Sequence, residues 1–297
     1  MKIGVSHTTL TAPDGGIADP VRVARRVEAL GLDSLWVSDH LAWGTPILDS
    51  TLTLTAAAAV TERIEVGYCV MQLALRPIAW AAKQIGTLQR ISGERLQLGV
   101  GVGGHPPEEW AAAGRSTTDR GRRTDDALRA LPRLLSGQAT PVPDAGDAPL
   151  TLSPPAPMPR VWIGGGSPAA LRRAARFGDA WLPAAVTLDQ VADGRERLRE
   201  LSRAEGRPTP GVGVSVFATL DSHLGGMSHD ALVDLCAGGF GMPREHADRV
   251  VVSGKPGQVA ERLAAHADAG VEHVIVVPFG HGWEQQCELL AEAVALL

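Results

Sequence analysis

Lysine is nearly missing from this chain. Of its 28 basic residues only Lys2, Lys83 and Lys255 are lysine, a skew that reports coding composition rather than chemistry. Cysteine is scarce as well: Cys69, Cys236 and Cys287 stand far apart, which excludes a disulfide framework and offers no metal-ligand spacing. Long apolar runs are absent. Even Leu52 to Val60 is broken by Thr53 and Thr55, so no stretch reaches the length that spans a bilayer and no membrane association is expected. No apolar region follows Met1-Lys2-Ile3-Gly4-Val5-Ser6-His7, so the expectation is a cytoplasmic protein without a secretory signal. Positive charge is not in excess either. The net charge of -5 argues against a nucleic-acid partner. What remains is ordinary globular composition, 44% hydrophobic and 21% charged over 297 residues, which excludes disorder as a class and allows one large domain or two ordinary ones.

Strand-like and helix-like segments alternate along the chain. Lys2 to Ser6 reads as a buried strand. Pro20 to Gly31 reads as a helix, with Asp19 as N-cap, Pro20 at the first helical position and Gly31 ending it. Val23, Val27 and Leu30 give that helix one apolar face. Strands are expected at 34–38, 64–71, 96–102, 161–164, 180–183, 212–220 and 273–277. Helices are expected at 46–61, 77–91, 107–113, 118–135, 168–177, 188–205, 256–269 and 284–297. Eight strands, each followed by helix, over this length point to an α/β fold: a single (β/α)8 TIM barrel spanning 1–297 with insertion loops at its C-terminal face. A doubly wound open sheet is the competitor, because it reads the same way.

Two stretches break the pattern. Residues 137–159 hold seven prolines and should form an irregular surface excursion. Residues 222–248 follow the seventh strand, read as partly helical, and are a candidate active-site lid, since that loop lies at the catalytic end of a barrel.

Chemistry is expected where barrel strands end. The second strand ends in Ser38-Asp39-His40, where His40 could exchange a proton near neutral pH and Asp39 could accept a hydrogen bond. The competing reading makes Asp39 a cap and His40 a half-buried packing residue. The fourth strand runs into Gly99-Val100-Gly101-Val102-Gly103-Gly104, a loose dinucleotide fingerprint, but no strand follows to carry the ribose acid. Steric access is the better inference: Gly101 and Gly103 let backbone approach a flat ligand, unless they only ease packing. The fifth strand ends in Gly164-Gly165-Gly166-Ser167 just before a helix, a ready phosphate site, with a capped tight turn as the alternative. Arg76 is either a ligand contact or a solvated residue before Pro77. His7, Trp43 and His105 are weak substrate-contact candidates. His223, His229, His246 and His281 form no metal spacing.

Taken together these segments resemble the luciferase-like monooxygenase family. The resemblance rests on Gly31-Leu32-Asp33-Ser34-Leu35-Trp36-Val37-Ser38-Asp39-His40, on Arg76-Pro77 with Lys83, and on Leu88 through Gly101. Glu109-Trp110 through Gly114, Arg120-Gly121-Arg122-Arg123, Val161 through Ser167, Gly178 through Trp181 and Gly254-Lys255-Pro256-Gly257 extend it. It covers nearly the whole chain. It implies a tricyclic cofactor at the C-terminal mouth of a (β/α)8 barrel: coenzyme F420, a hydride-only deazaflavin, because Ser-Asp-His resembles that branch, with FMN and oxygen chemistry as the alternative. It implies that His40 is catalytic and that Asp39 contacts the ring. Cys69-Val70 matches the place of a non-proline cis peptide against the ring, and Gly164 to Ser167 would hold the phosphate. A small organic substrate, a flavin or F420 reductase as partner and a homodimer are further implications. A non-catalytic flavin-binding barrel is the reading from another class. One departure stands out. Some family members carry a glutamate as proton donor near the end of the strand-four glycine run, where this chain has Gly103-Gly104-His105-Pro106. Either His40 works alone, or His105 substitutes, or the reaction differs.

Overall fold

The computed structural model describes residues 1–7, 18–44, 46–142, 146, 148–280 and 282–297. In chain order the elements are β1 (Lys2–Ser6), α1 (Pro20–Ala29), β2 (Ser34–Val37), α2 (Ser50–Ala59), β3 (Glu65–Gln72), α3 (Ile78–Ile91), β4 (Leu96–Gly101), α4 (Pro107–Ala112) and α5 (Arg120–Leu135). A short hairpin follows, β5 (Thr140–Pro141) with β6 (Pro149–Leu150), then β7 (Arg160–Gly164), α6 (Pro168–Phe177), β8 (Ala180–Leu182), α7 (Leu188–Ala204) and β9 (Gly211–Leu220). The chain ends with α8 (His229–Gly239), α9 (Arg244–Val250), β10 (Val252–Gly254), α10 (Pro256–Asp268), β11 (His273–Pro278) and α11 (Trp283–Val294).

Eight parallel strands close in the ring β1-β2-β3-β4-β7-β8-β9-β11 and back to β1. The β8–β9 pairing seals it, through Ala180 with Gly211 and Trp181 with Val212, and this excludes the open doubly wound sheet. β10 is an additional strand, pairing among the described residues only with the end of β9. The fold is a (β/α)8 barrel.

Local chemistry explains most boundaries. Asp19 caps α1, accepting from Val21 N–H at 2.9 Å, and Val23, Ala24 and Val27 are buried beneath it. The second helix starts later than the expected Pro46, because Asp49 accepts from Leu52 N–H at 2.8 Å and so fixes the first turn at Ser50. The proline-rich stretch is less irregular than expected: it contains the β5–β6 hairpin, and Lys83 and Arg90 on α3 bond the Ser153 and Pro155 carbonyls. Residues 143–145 and 147 of it lie outside the described residues. This excursion precedes its strand, so it sits at the amino end of the barrel, away from the mouth.

The barrel interior is plugged by a Trp36–Trp162–His273 cluster, with ring centroids 5.5 to 5.9 Å apart. Trp36 Nε1 donates to Ser34 Oγ, Ser34 Oγ lies 2.8 Å from His273 Nε2, and Trp162 Nε1 donates to Gln97 Oε1. Gly67 makes room for Trp36, since a Cβ there would come within 2.3 Å of the ring. The plug fills the barrel and leaves its carboxyl mouth open.

Candidate active site

At that mouth lies a cavity of about 500 Å³, within the size range of small-molecule sites. The strands supply most of its walls: Ser6 as the last residue of β1, Ser38, His40 and Trp43 after β2, Cys69 and Val70 within β3, Gly164 as the last residue of β7 and Gly165 just beyond it. Leu182 and Ala184 follow from β8, Ser215 and Phe217 from β9, and Val277 to Gly280 from β11, while Phe240 reaches in from the end of α8.

His40 lines this cavity, and its side chain is one-fifth exposed. Its Nδ1 lies 3.1 Å from Glu109 Oε1, and the Glu109 side chain is fully buried. A carboxylate can only accept, so the 3.1 Å contact of Nδ1 with Glu109, shorter than the 3.3 Å approach of the Gln72 amide nitrogen to the same Nδ1, assigns the proton to Nδ1 and leaves Nε2 for a substrate. Glu109 also accepts from Leu41 N–H at 2.9 Å and from Gln72 Nε2 at 3.2 Å, which ties the loop after β2 to α4. Trp43 flanks the imidazole at 4.3 Å, and His105 packs edge-on against Trp43 at 5.8 Å. His105 is thus a rim residue and does not line the cavity.

Glu109 is the residue that reading the sequence missed. The carboxylate sought at Gly103-Gly104-His105 comes from five residues beyond Gly104, on α4. Glu109-Trp110 stood among the resembling segments, but nothing in their spacing places it on His40.

Asp39 is not at the cavity, contrary to expectation. It is buried and fully engaged: Arg76 Nη2 donates to both its oxygens at 2.7 and 2.8 Å, Ser50 Oγ donates at 2.6 Å, and Gln72 N–H at 2.9 Å. With every lone pair spent on the protein, it has none for a ring. Arg76 is therefore neither a ligand contact nor a solvated residue. Burial opposes its charge, but the Asp39 carboxylate outweighs burial and raises its pKa.

The peptide bond between Cys69 and Val70 is cis, and both residues face the cavity. Burial pushes the Cys69 thiol up to about 12, against a hydrogen bond from Ser215, so it is a neutral wall group rather than a nucleophile. The strand-four glycines serve this wall. A Cβ on Gly101 would lie 2.3 Å from Val70 Cγ2, and one on Gly99 would lie 1.9 Å from the Tyr68 carbonyl. Gly103 is backed by Gln72, whose Oε1 would lie 1.7 Å from a Cβ there. Gly101 and Gly103 thus accommodate β3 and not, as expected, a ligand.

Gly164 and Gly165 line the cavity, whereas Gly166 and Ser167 lie exposed just beyond it. Ser167 Oγ accepts from Ala170 N–H and caps α6, and Gly165 N–H is taken by the Leu182 carbonyl. A Cβ on Gly166 would meet nothing within 4 Å, so the start of α6 has open space for an anionic group. His7 is buried edge-on against Trp283 at 4.6 Å and does not line the cavity; burial lowers its pKa to about 4. Ser6, its neighbour, is 1% exposed and lines the floor with an Oγ that has no partner among the described residues. An orphaned hydroxyl, a cavity of this size and an open helix start fit a flat ring carrying a phosphate chain.

Fold and site define a (β/α)8 barrel with a ligand cavity at the carboxyl mouth and a histidine–carboxylate pair on its wall. The luciferase-like monooxygenase family model matches residues 1–223, and the chain belongs to that family. It is 28% identical over 214 residues to the uncharacterized protein Rv0940c of Mycobacterium tuberculosis, covering 64% of this chain and 73% of that protein. It is 25% identical to the F420-dependent glucose-6-phosphate dehydrogenase of Kineococcus radiotolerans, covering 93% of this chain and 90% of that one. Among solved structures, an F420-dependent secondary alcohol dehydrogenase in complex with an F420-acetone adduct superposes with a TM-score of 0.80. Its sequence identity is 16%, and the match covers 99% of this chain and 98% of that one. Among the described residues no helix is long and apolar enough to cross a membrane.

Proposed function

We propose that the protein is a coenzyme F420-dependent oxidoreductase that moves a hydride between the deazaflavin and a small organic substrate. The observation that carries this reading is His40 on the cavity wall with its Nδ1 held on the buried Glu109. A bound deazaflavin supplies two-electron hydride chemistry. The chain must then handle the proton that the hydride leaves behind. His40 Nε2 takes that proton from a substrate oxygen or returns it, and the Glu109 carboxylate stabilises the imidazolium so formed. Ser6 Oγ offers the ring edge a hydrogen bond from the floor. Gly166, Ser167 and the start of α6 hold the phosphate. Val70 shapes the wall against which the ring rests.

The second reading is an FMN-dependent monooxygenase supplied by a separate flavin reductase, and the oxygenase character of the family description favours it. Titration of the purified protein with F420 and with FMN, followed by cofactor fluorescence, separates the two. F420 is expected to bind more tightly. Micromolar FMN binding with no F420 binding would overturn the F420 reading in favour of the oxygenase.

A further inference from the structure

The chain has only four phenylalanines and one tyrosine, and three of the four phenylalanines meet at this cavity. Phe217 comes from β9, Phe240 from the end of α8, and Phe279 from just past β11. Their ring centroids stand 5.3 Å (217–240), 5.5 Å (217–279) and 6.4 Å (240–279) apart. Phe217 and Phe279 pack their outer edges on the Leu232–Val233–Cys236 cluster beneath α8 and also line the cavity, so burial alone does not account for all three rings. Phe240 is 47% exposed, although a smaller or polar residue would serve any surface position as well. Three elements distant in sequence therefore bring a rare residue to one wall of the cavity.

Charge gives the second observation. Among the described lining residues there is no lysine or arginine. Residues 8–17, 45, 143–145, 147 and 281 contain none in their sequence either. Arg76, six residues beyond Val70 in the chain, is spent on Asp39. A phosphorylated or multiply charged substrate would lose its hydration here with no cation to replace it.

We propose that the substrate is a neutral molecule with an aromatic or otherwise apolar body, which packs on the Phe217–Phe240–Phe279 wall while its oxygen-bearing carbon reaches His40. This deepens the hydride-transfer reading and rests on it for the role of the oxygen-bearing carbon. It also sets this chain apart from its relatives named for glucose 6-phosphate. Recognition is by area rather than by charge, so Phe217, Phe240 and Phe279 determine specificity.

The test is saturation-transfer NMR on the full chain, free and loaded with F420, with acetophenone and glucose 6-phosphate as probes. Acetophenone should receive saturation and glucose 6-phosphate should not. Phe240→Ser, at a half-exposed position outside the core, should weaken acetophenone about tenfold or more. Phe217→Ala serves as the second variant, with circular dichroism confirming that each is folded. F420 affinity, read separately by fluorescence, should stay within a few-fold in both. Binding of glucose 6-phosphate, absence of acetophenone binding, or unchanged acetophenone affinity in both folded variants would overturn the proposal. Failure of F420 to bind while acetophenone still binds through the phenylalanines would instead strike the hydride-transfer reading and leave the apolar wall standing.

Discussion

His40 and Glu109 divide one task between two side chains. The imidazole touches the cavity, and the carboxylate, wholly buried, holds it there. His40→Gln should therefore lower turnover roughly 10²–10⁴-fold while F420 affinity and melting temperature hardly move. Single-turnover hydride transfer beside a thermal melt checks this, and a rate within a few-fold of wild type would reduce His40 to a packing residue. Glu109 acts through its neighbour and is a positioning residue. Glu109→Gln keeps an oxygen for the Leu41 N–H, so the loop should stay, but the imidazolium loses its counter-charge. Turnover should fall about 10²-fold or more with KM little changed; a change confined to KM would contradict that role. Asp39 carries the opposite lesson. Its place after a barrel strand reads as functional, yet its oxygens are all used to join β2 to β3, α2 and Arg76.

The glycine-rich ends of β4 and β7 look alike in sequence and do different work. On β4 the glycines yield to β3: Gly99 faces the Tyr68 carbonyl and Gly101 faces Val70. Beyond β7, Gly166 faces open space. Gly101→Ala should cost about 1–3 kcal/mol, because the added methyl meets packed protein, and Gly99→Ala should cost at least as much, because it meets backbone. Urea unfolding measures both. Gly166→Asp should leave the unfolding midpoint unchanged and weaken cofactor binding, since a carboxylate at the start of α6 repels phosphate. Equal cofactor affinity in that variant would place the phosphate elsewhere. The helices of the regular βα units were legible because their starts carry capping residues: Asp19, Ser167 and Thr187 all cap through their side chains. β10, by contrast, is a three-residue strand that takes the edge of β9 left free beyond its pairing with β8, and no periodicity marks so short an element.

At the scale of the whole barrel, two histidines that burial holds neutral make stability depend on pH. Burial, with the Lys2 and Arg160 charges adding to it, lowers His273 to about 3, and burial lowers His7 to about 4. In the unfolded chain both rings titrate near their ordinary 6.5. Between those values the unfolded chain binds more protons than the folded one. The contribution of both rings is complete above pH 6.5 and is lost as pH falls, at about 1.4 kcal/mol per pH unit for each ring. Urea midpoints at pH 7 and pH 5 should differ accordingly. His273→Gln should be less stable at pH 7, because the Trp36–Ser34–His273 cluster loses a member, but its stability should fall less steeply with acid. An unchanged slope would mean that His273 does not set the acid limit.

Order along the chain was enough to specify eight βα units and to favour the barrel, while the β8–β9 pairing that closes the ring excluded the open sheet. Eight βα units of this length, each apolar segment bounded by a cap, proline or glycine, have few ways to bury themselves, and a closed parallel sheet is one. The ends of several strands were equally legible: His40, Gly164 and Gly165 were named from the residues there, Cys69 and Val70 from the family resemblance, and all five line one cavity. Tertiary structure alone decided which polar residues are free to meet a ligand. Asp39 was consumed by Arg76, Gly101 by Val70, and Glu109 was delivered to His40 from a helix 69 residues away in sequence. The three phenylalanines were likewise invisible as a group until β9, α8 and β11 brought them together. Periodicity reports which face of an element is buried. It does not report which buried partner arrives, because that depends on closing the ring and on the loops that closure juxtaposes.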